Sequence, residues 1–562
     1  MVEKRNQPCL CGSGKRYKKC CGLKRETLVI SDDSGLQEKS NRILSATDYF
    51  QLGETSLSQR RLEEAARYFH QAITLKPDFA EAYNNLGRTL NDLGKLDEAI
   101  ANFHQAIRLN PDFAEAHTNL GVTFFNQGKL NKALASYRRA LTLNPDFVEA
   151  HSKLLMCLNY IPNLPISHYL AEARNYGNRA ANRASLRFSN WTCSFKPERL
   201  CVGLVSGDFY NHPVGYFLEN MLANIDQTRI ALVAYPTLKK EDELTARIRS
   251  CCVEWKSLVG KSDEEAAKLI HEDGVHVLLD LSGHTSHNRL PVFAWKPAPV
   301  QATWLGYFAS TGLAEIDYLI TDPISVPEYH QEYFTERVWY FPEIRFNFSP
   351  PVVGKELEST PLPAMHNGYI TFGCFQNFSK INDEVLAVWG RILQELPQAK
   401  LRIQTWPLHS PTIREEFRQR LARSGIAPDS VTLAEHVPRS IYLEELTHID
   451  IILDTFPFTG GTTTCEALWM GVPTVTLAGK AMVARQGASL LTCLGLDSWI
   501  SVDKDDYVAK ALTHSADLEK LARLRKELRR QMLTSPLCDS PRFAQNFTKA
   551  MWGMWHRFLA EQ

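Results

Sequence analysis

The stretch Asp454–Leu477, "DTFPFTGGTTTCEALWMGVPTVTL", sets two glycines and three threonines between an apolar run and an amphipathic one. The overlapping "IDIILDTF" has the length and aliphatic content of a buried strand. "PFTGG" is turn chemistry, "TTTCEALWM" a helix whose first turn carries Thr462, Thr463 and Thr464, and Gly471 with Pro473 ends it. A helix start leaves unpaired amide N–H groups and a partial positive charge, and flanking glycines let an anion come close. Strand, glycine turn and helix in that order make a diphosphate site, with Glu466 one turn further on to accept hydrogen bonds from a ribose diol. On local features alone the same residues also read as a plain helix cap and a plain turn.

Outward from this stretch, strand and helix alternate. "YITFGCFQ", "KLRIQTWP", "SVTLAEHV", "DIILDTFP" and "PTVTLAG" form one series of short aliphatic runs. A proline-rich break, "FNFSPPVVGKELESTPLPAMHNG", separates it from an earlier series, "RLCVGLVSGDF", "RIALVAYP", "VHVLLDLSG", "VQATWLGY" and "IDYLITDP", with helical stretches such as "DELTARIRSCCVEW" between. This alternation predicts two parallel sheets covered by helices, in α/β domains at 199–350 and 366–525, followed by C-terminal helices at 526–562. Ligands of such sheets bind beyond the carboxyl ends of the strands, so the crevice between the domains is the expected site. The last helix, "PRFAQNFTKAMWGMWHRFLAEQ", is amphipathic and is expected to return to the outside of the first α/β domain.

Before residue 161 the pattern changes. Pro77, Pro111 and Pro145 are spaced by 34 residues, as are Gly53, Gly87 and Gly121, and Ala72, Ala106 and Ala140, which is the tetratricopeptide period. Each unit reads as two helices, one around "YNNLGRTLNDLG" and one around "LDEAIANFHQAIRLNP", the proline opening the next unit. Residues 46–160 thus hold three repeats and a capping helix, "VEAHSKLLMCLNY", and 161–198 a helical linker. Such arrays stack into a solenoid whose concave face binds extended peptide. Asn85 and Asn119, one period apart, would hydrogen-bond a peptide backbone there or stand as ordinary solvated positions.

Residues 1–24 carry Cys9, Cys11, Cys20 and Cys21 in a segment too short to bury a core, and 25–45 is a linker. Four thiolates around a tetrahedral zinc would supply the missing folding energy, with Lys15, Arg16, Lys18 and Lys19 offsetting the charge. "PCLCGSGKRYKKCCG" resembles the SEC-C zinc motif, which implies a binding accessory. The chain has 13 cysteines in 562 residues, an odd number, and the scattered remainder read as reduced core thiols of a cytoplasmic protein. Lysine plus arginine, 63, balance aspartate plus glutamate, 63, so no overall field attracts nucleic acid or an anionic membrane. The N-terminus has no signal-peptide core, and no window offers the ~18 uninterrupted apolar residues of a span.

Five blocks, "GDFYNHPVGYFLENML", "DLSGHTSHNRL", "KPAPVQATWLGY", "GCFQNFSKIND" and "GGTTTCEALWMGVPTVTLAG", lie in this order behind the repeats. They resemble the signature blocks of the O-linked N-acetylglucosamine transferase family, which includes the SPINDLY-type proteins. The resemblance covers Ala46 to the C-terminus and implies a GT-B fold, two Rossmann-like domains with the nucleotide sugar held mainly by the second. It assigns Lys380 to the donor diphosphate, where a fixed cation stabilises the leaving group. It puts Asn377 beside the same phosphates, Thr462 and Thr463 at the helix end, Glu466 on the ribose, and Arg439, in "HVPRS", near the base or ribose. His212 follows a strand of the first α/β domain and would face the cleft from the acceptor side, as general base or as a group orienting the sugar. His284, also after a strand, is a weaker substrate-binding candidate.

No catalytic cofactor is expected, because the lysine and the helix end supply the charge that a divalent ion supplies elsewhere. "DKDD", Asp503–Asp506, reads as a solvated turn, and Cys465 as a packing thiol. Phe308 and Ala309 stand where the family more often has proline and glycine, Gln404 where bacterial relatives carry a basic residue, and Tyr442 where animal members have a histidine. The expectation is an inverting protein O-glycosyltransferase moving N-acetylglucosamine from UDP-GlcNAc to serine or threonine of proteins presented by the repeats. The alternatives are the same fold with UDP-glucose or GDP-fucose, and an inactive peptide-binding scaffold.

Overall fold

The computed structural model describes residues 44–351 and 360–562. The four N-terminal cysteines and part of the proline-rich break lie outside the described residues. The chain divides into two compact units, up to Leu86 and from Gly87 onward.

Eight helices open the described chain: α1 (Ala46–Ser58), α2 (Leu62–Leu75), α3 (Ala80–Asp92), α4 (Leu96–Leu109), α5 (Ala114–Asn126), α6 (Leu130–Leu143), α7 (Val148–Leu158) and α8 (Ile166–Arg183). The repeating glycines have one job. In the first unit a Cβ on Gly53 would lie 2.6 Å from the Phe69 ring. In the second, Gly87 and Gly121 meet Phe103 and Tyr137 in the same way, at 2.7 and 2.6 Å. Each ring is buried, which stabilises its helix pair by about 2–3 kcal/mol, and only glycine lets the partner helix close over it. The buried alanines Ala72, Ala106 and Ala140 do the same from the second helix of each pair.

Thirteen strands follow among the described residues: β1 (Leu200–Ser206), β2 (Ile230–Pro236), β3 (Glu254–Trp255), β4 (Val277–Asp280), β5 (Val300–Thr303), β6 (Tyr318–Thr321), β7 (Arg337–Tyr340), β8 (Thr371–Cys374), β9 (Lys400–Gln404), β10 (Val431–Ala434), β11 (Ile451–Leu453), β12 (Thr474–Leu477) and β13 (Ile500–Ser501). They form two sheets, ordered β3-β2-β1-β4-β5-β6-β7 and β10-β9-β8-β11-β12-β13. Every pairing is parallel, with Val202 opposite Val277 in the first sheet and Ile451 opposite Phe372 in the second. Central strands such as β4 are buried on both faces, so they read as unbroken apolar runs. Both sheets reverse their winding beside their first strand, between β1 and β4 and between β8 and β11, and ligands of doubly wound folds bind at those switch points.

The last helix, Ser540–Glu561, leaves the second sheet and packs on the first. Phe543 stacks on Trp304 at 6.0 Å, and Trp555 meets His276 edge-on at 4.9 Å. The expected boundary at 525/526 falls inside a single helix, Leu518–Leu533, whose buried Arg525 donates to the carbonyls of Thr447 and Ile449 and so ties it to the second domain. Glu254 and Trp255, expected to continue a helix, form the edge strand β3.

Candidate active site

The two loops at the switch point of the second sheet leave neighbouring strands side by side. After β11, Asp454 is fully buried and gathers its own loop: Oδ1 accepts from the amides of Thr455 and Gly460 at 2.9 and 2.8 Å, and Oδ2 from the Thr476 hydroxyl at 2.7 Å. The loop feeds the helix Thr462–Trp469, whose N-cap is Gly461 with no side chain capping it. Its first-turn amides therefore keep their donors for something else.

After β8, Gln376 reaches across to this loop. Its Nε2 donates to Thr463 Oγ1 at 2.8 Å, and its Oε1 accepts from Lys380 Nζ at 3.1 Å. Lys380 also donates to the Thr459 carbonyl at 3.2 Å and lies 4.2 Å from the Phe458 ring centroid. Burial draws the ammonium down to about 8, against the pull of Asp454. Burial raises Asp454 to about 6. The ammonium and the uncapped helix end are thus one side chain apart. Gly460 makes room for the link, since a Cβ there would sit 2.3 Å from Gln376 Nε2 and 2.4 Å from Thr464 Oγ1.

One helical turn beyond Thr463, Glu466 is buried and accepts from Arg439 Nε at 2.7 Å. Burial raises its carboxyl pKa, with Arg439 opposing. Arg439 lies 3.9 Å from the ring of Tyr216 on the first domain, and its Nη2 has no acceptor among the described residues. Tyr216 belongs to the helix Pro213–Ala223, and His212 is its N-cap. The two α/β domains therefore touch at Arg439 and Tyr216. Asn377 is exposed, and its Oδ1 caps the turn Phe378–Lys380 by accepting from the Ser379 amide at 3.0 Å.

His212 Nδ1 accepts from the Val214 amide at 3.4 Å and lies 3.6 Å from Asp208 Oδ1. Burial, helped by Lys240, lowers the imidazole to about 4, and burial raises Asp208 to about 7. His284 departs from the expectation of a substrate contact. It is fully buried, with Nδ1 3.0 Å from Ser152 Oγ and Nε2 3.0 Å from the Thr311 carbonyl, so it ties α7 to the first sheet and has no ring nitrogen to spare. Asn85 and Asn119 are half-buried on α3 and α5. Gln376, Asp454, Phe458, Tyr216 and Asp208 were not singled out in the sequence. Gln376, inside the "GCFQNFSKIND" block, Asp208 and Tyr216, inside "GDFYNHPVGYFLENML", and Asp454 and Phe458, in the opening stretch, all lay within quoted sequence, but nothing local marked their contacts.

The sequence matches glycosyl transferase family 41 over residues 178–348 and 359–547. The chain belongs to that family. Tetratricopeptide repeats match at 50–103, 87–128 and 114–147, and the SEC-C motif at 5–23. The family 41 chain is 36% identical over 411 residues to a protein of Solanum lycopersicum described as a probable UDP-N-acetylglucosamine–peptide N-acetylglucosaminyltransferase SPINDLY, covering 72% of this chain and 44% of that one. A protein of Arabidopsis thaliana with the corresponding description, ending in SEC, is 29% identical over 374 residues, 65% of this chain and 38% of that one. The chain thus spans less than half the length of these relatives. A solved structure of a lysine-to-methionine mutant of the Thermobaculum terrenum O-GlcNAc transferase superposes with a TM-score of 0.86 at 32% identity, over 91% of this chain and 98% of that one. In the family 41 chain no helix among the described residues is long and apolar enough to cross a membrane.

Proposed function

We propose that the chain is an inverting protein O-glycosyltransferase that moves N-acetylglucosamine from UDP-GlcNAc to serine or threonine side chains. One observation carries this: in a family 41 chain, the Lys380 ammonium and the uncapped helix start at Thr462 converge through Gln376 at a switch point. A diphosphate there takes the ammonium, the Thr462 and Thr463 amides and their hydroxyls, with Asn377 at the edge. Glu466 and Arg439, one turn away, take the ribose and base. As the glycosidic bond breaks, charge grows on the diphosphate, where these donors are already fixed. The attacking hydroxyl comes from the opposite face, forms its bond to the sugar carbon as the bond to the diphosphate breaks, and releases its proton to solvent, so the linkage inverts.

His212 fits orientation better than proton abstraction. An Nδ1 that accepts the Val214 amide leaves the neutral ring's proton on Nε2, which makes that nitrogen a donor. His284 contributes by holding α7 in place. The repeats, with Asn85 and Asn119, present the acceptor protein, and the four N-terminal cysteines bind zinc. The scattered thiols, all free among the described residues, suit a reducing cytoplasm.

Purified chain with radiolabelled UDP-GlcNAc and an extract of acceptor proteins tests the proposal, and absence of both labelled protein and donor binding ends it. A second reading keeps the chemistry and changes the donor to UDP-glucose or GDP-fucose. It is favoured by Phe458, whose ring lies 4.2 Å from Lys380 and 5.8 Å from that of Phe308, two aromatic side chains that would narrow the space for a sugar. Competition between free UDP and free GDP separates the two.

A further inference from the structure

Phe308 does more than face Phe458. With Phe456 and Pro457 it lines a cavity of about 1440 Å³ whose walls include neither Lys380 nor Phe458. The other walls come from the segment that ends the repeat array, 158–169, from 309–310 and 325–334 of the first α/β domain, and from 477–485 and 502–505 of the second, with Glu384 and Arg391. A small-molecule site needs roughly 300–1,000 Å³, so this one has room for a stretch of polypeptide.

Most of the charge on its walls is internally paired. Arg391 meets Asp505 at 2.8 Å and Lys504 meets Glu384 at 2.5 Å. One corner differs. Arg485 donates only to backbone, to the carbonyls of Ile324 at 2.6 Å and Gly479 at 3.0 Å. Lys480 is exposed and has no carboxylate in ion-pair range among the described residues. Behind Phe308, 5.1 Å from its ring, the guanidinium of Arg345 is fully buried, and its Nε and Nη1 have no acceptor among the described residues.

Asp322 is the carboxylate nearest this group, and it is saturated: it accepts from the amides of Ile324, Ser325 and Arg345 and from the hydroxyls of Ser325 and Ser489. Arg345, Lys480 and Arg485 against Asp322 and the exposed Glu332, which faces His330 beside the two outer cations, leave one uncompensated positive charge. His330, buried beside Arg485 and Lys480, adds none, because burial and the field of those two cations lower its pKa. A buried guanidinium without a paired carboxylate is costly, and a negative charge entering the cavity on the other side of Phe308 offsets part of that cost through space, without touching its donors.

We propose that this corner is an acceptor subsite for an acidic residue: a carboxylate or phosphate on the acceptor segment pairs with Arg485 and Lys480, with Arg345 contributing its charge from behind Phe308. The inference rests on the transferase reading and adds to it the class of acceptor. The end of the repeat array lines the cavity, so a segment delivered by the repeats reaches it beside the place of transfer.

The test uses the full chain and three synthetic peptides built around one serine, with aspartate, asparagine or phosphoserine at a neighbouring position. Binding is read by fluorescence anisotropy without donor, and transfer by label incorporation with donor. The aspartate peptide is expected to bind about tenfold more tightly than the asparagine peptide, the scale of a charge-assisted pair. Lys480→Gln should reduce that ratio about threefold, and Lys480→Gln with Arg485→Gln should bring it near one. Because the ratio is taken within one preparation, partial misfolding does not imitate the result, and Lys480 is exposed enough that its variant folds. A ratio near one in the unsubstituted chain, or a ratio that neither variant moves, overturns the proposal. Stronger binding of the phosphoserine peptide than of the aspartate peptide assigns the subsite to phosphate, and the reverse order assigns it to carboxylate. If the acidic preference holds in binding while no peptide receives sugar, it is the transferase reading that fails.

Discussion

Lys380 has two properties that can be separated by pH. In the proposed transfer its ammonium, drawn down to about 8 by burial, has to stay protonated to oppose the leaving diphosphate. The rate without saturating donor should therefore fall as pH rises through about 8, where an ordinary lysine would hold its charge to roughly 10.4. Stability moves the other way. Between those two values the unfolded chain binds the proton and the folded chain does not, so Lys380's own contribution to unfolding free energy rises with pH. A pH–rate profile alongside thermal melts distinguishes loss of charge from loss of fold. Lys380→Ala should lower kcat about 100-fold or more, the scale of one removed transition-state contact. His212 yields a sharper choice. If Nε2 donates to an oxygen, His212→Asn keeps a donor and should stay within about tenfold of the unsubstituted rate, whereas His212→Ala should lose about 100-fold. Equal losses in the two variants would mean that the imidazole takes a proton.

The loop between β11 and its helix shows how an element is built around one missing atom. Gly460→Ala would press on the Gln376 amide and the Thr464 hydroxyl, and the side chain of Gln376 is the part free to yield. Displaced, Gln376 no longer joins Lys380 to Thr463. Weaker donor binding, by about tenfold in isothermal titration, is expected with a stability loss of only about 1–3 kcal/mol. Unchanged donor affinity would show that the link is dispensable. The turn and the helix were legible in "PFTGGTTTCEALWM" because their signals are local: a glycine pair, then a helical period. The repeats were legible for the same reason. Gln376 was not assigned a role, because its function is a contact across 87 residues of chain to Thr463. The strand β7, half-exposed at a sheet edge, and the two-residue β3 lack the aliphatic run that marks a central strand. His284 looked like a site histidine because it follows a strand, but Ser152, 132 residues away on α7, claims its Nδ1. No spacing in the sequence encodes that pair.

Within the unit that begins at Gly87, the repeats do not merely precede the α/β domains. The last turn of α5 and the turn after it rest on the turn that carries Lys380: Ser379 Oγ donates to the Phe125 carbonyl at 2.5 Å, and a Cβ on Gly128 would lie 3.3 Å from Phe378. An array that only delivered acceptors would need no such contact. If it also buttresses the donor site, a disturbance in the repeats should appear in donor binding before any acceptor is present. Gly128→Val provides that disturbance, with strain at a φ of +70° worth about 1–2 kcal/mol and a branched side chain pushed toward Phe378. Gly260→Val is the matched control, since its φ is +80° and nothing lies within 4 Å of the added carbon. The expectation is a donor dissociation constant raised about fivefold or more by the first substitution and unmoved by the second, with the same helical circular dichroism in both. Equal donor affinity in the two variants would leave the array as a delivery device alone, whereas a difference makes the third repeat part of the wall that holds the Lys380 ammonium.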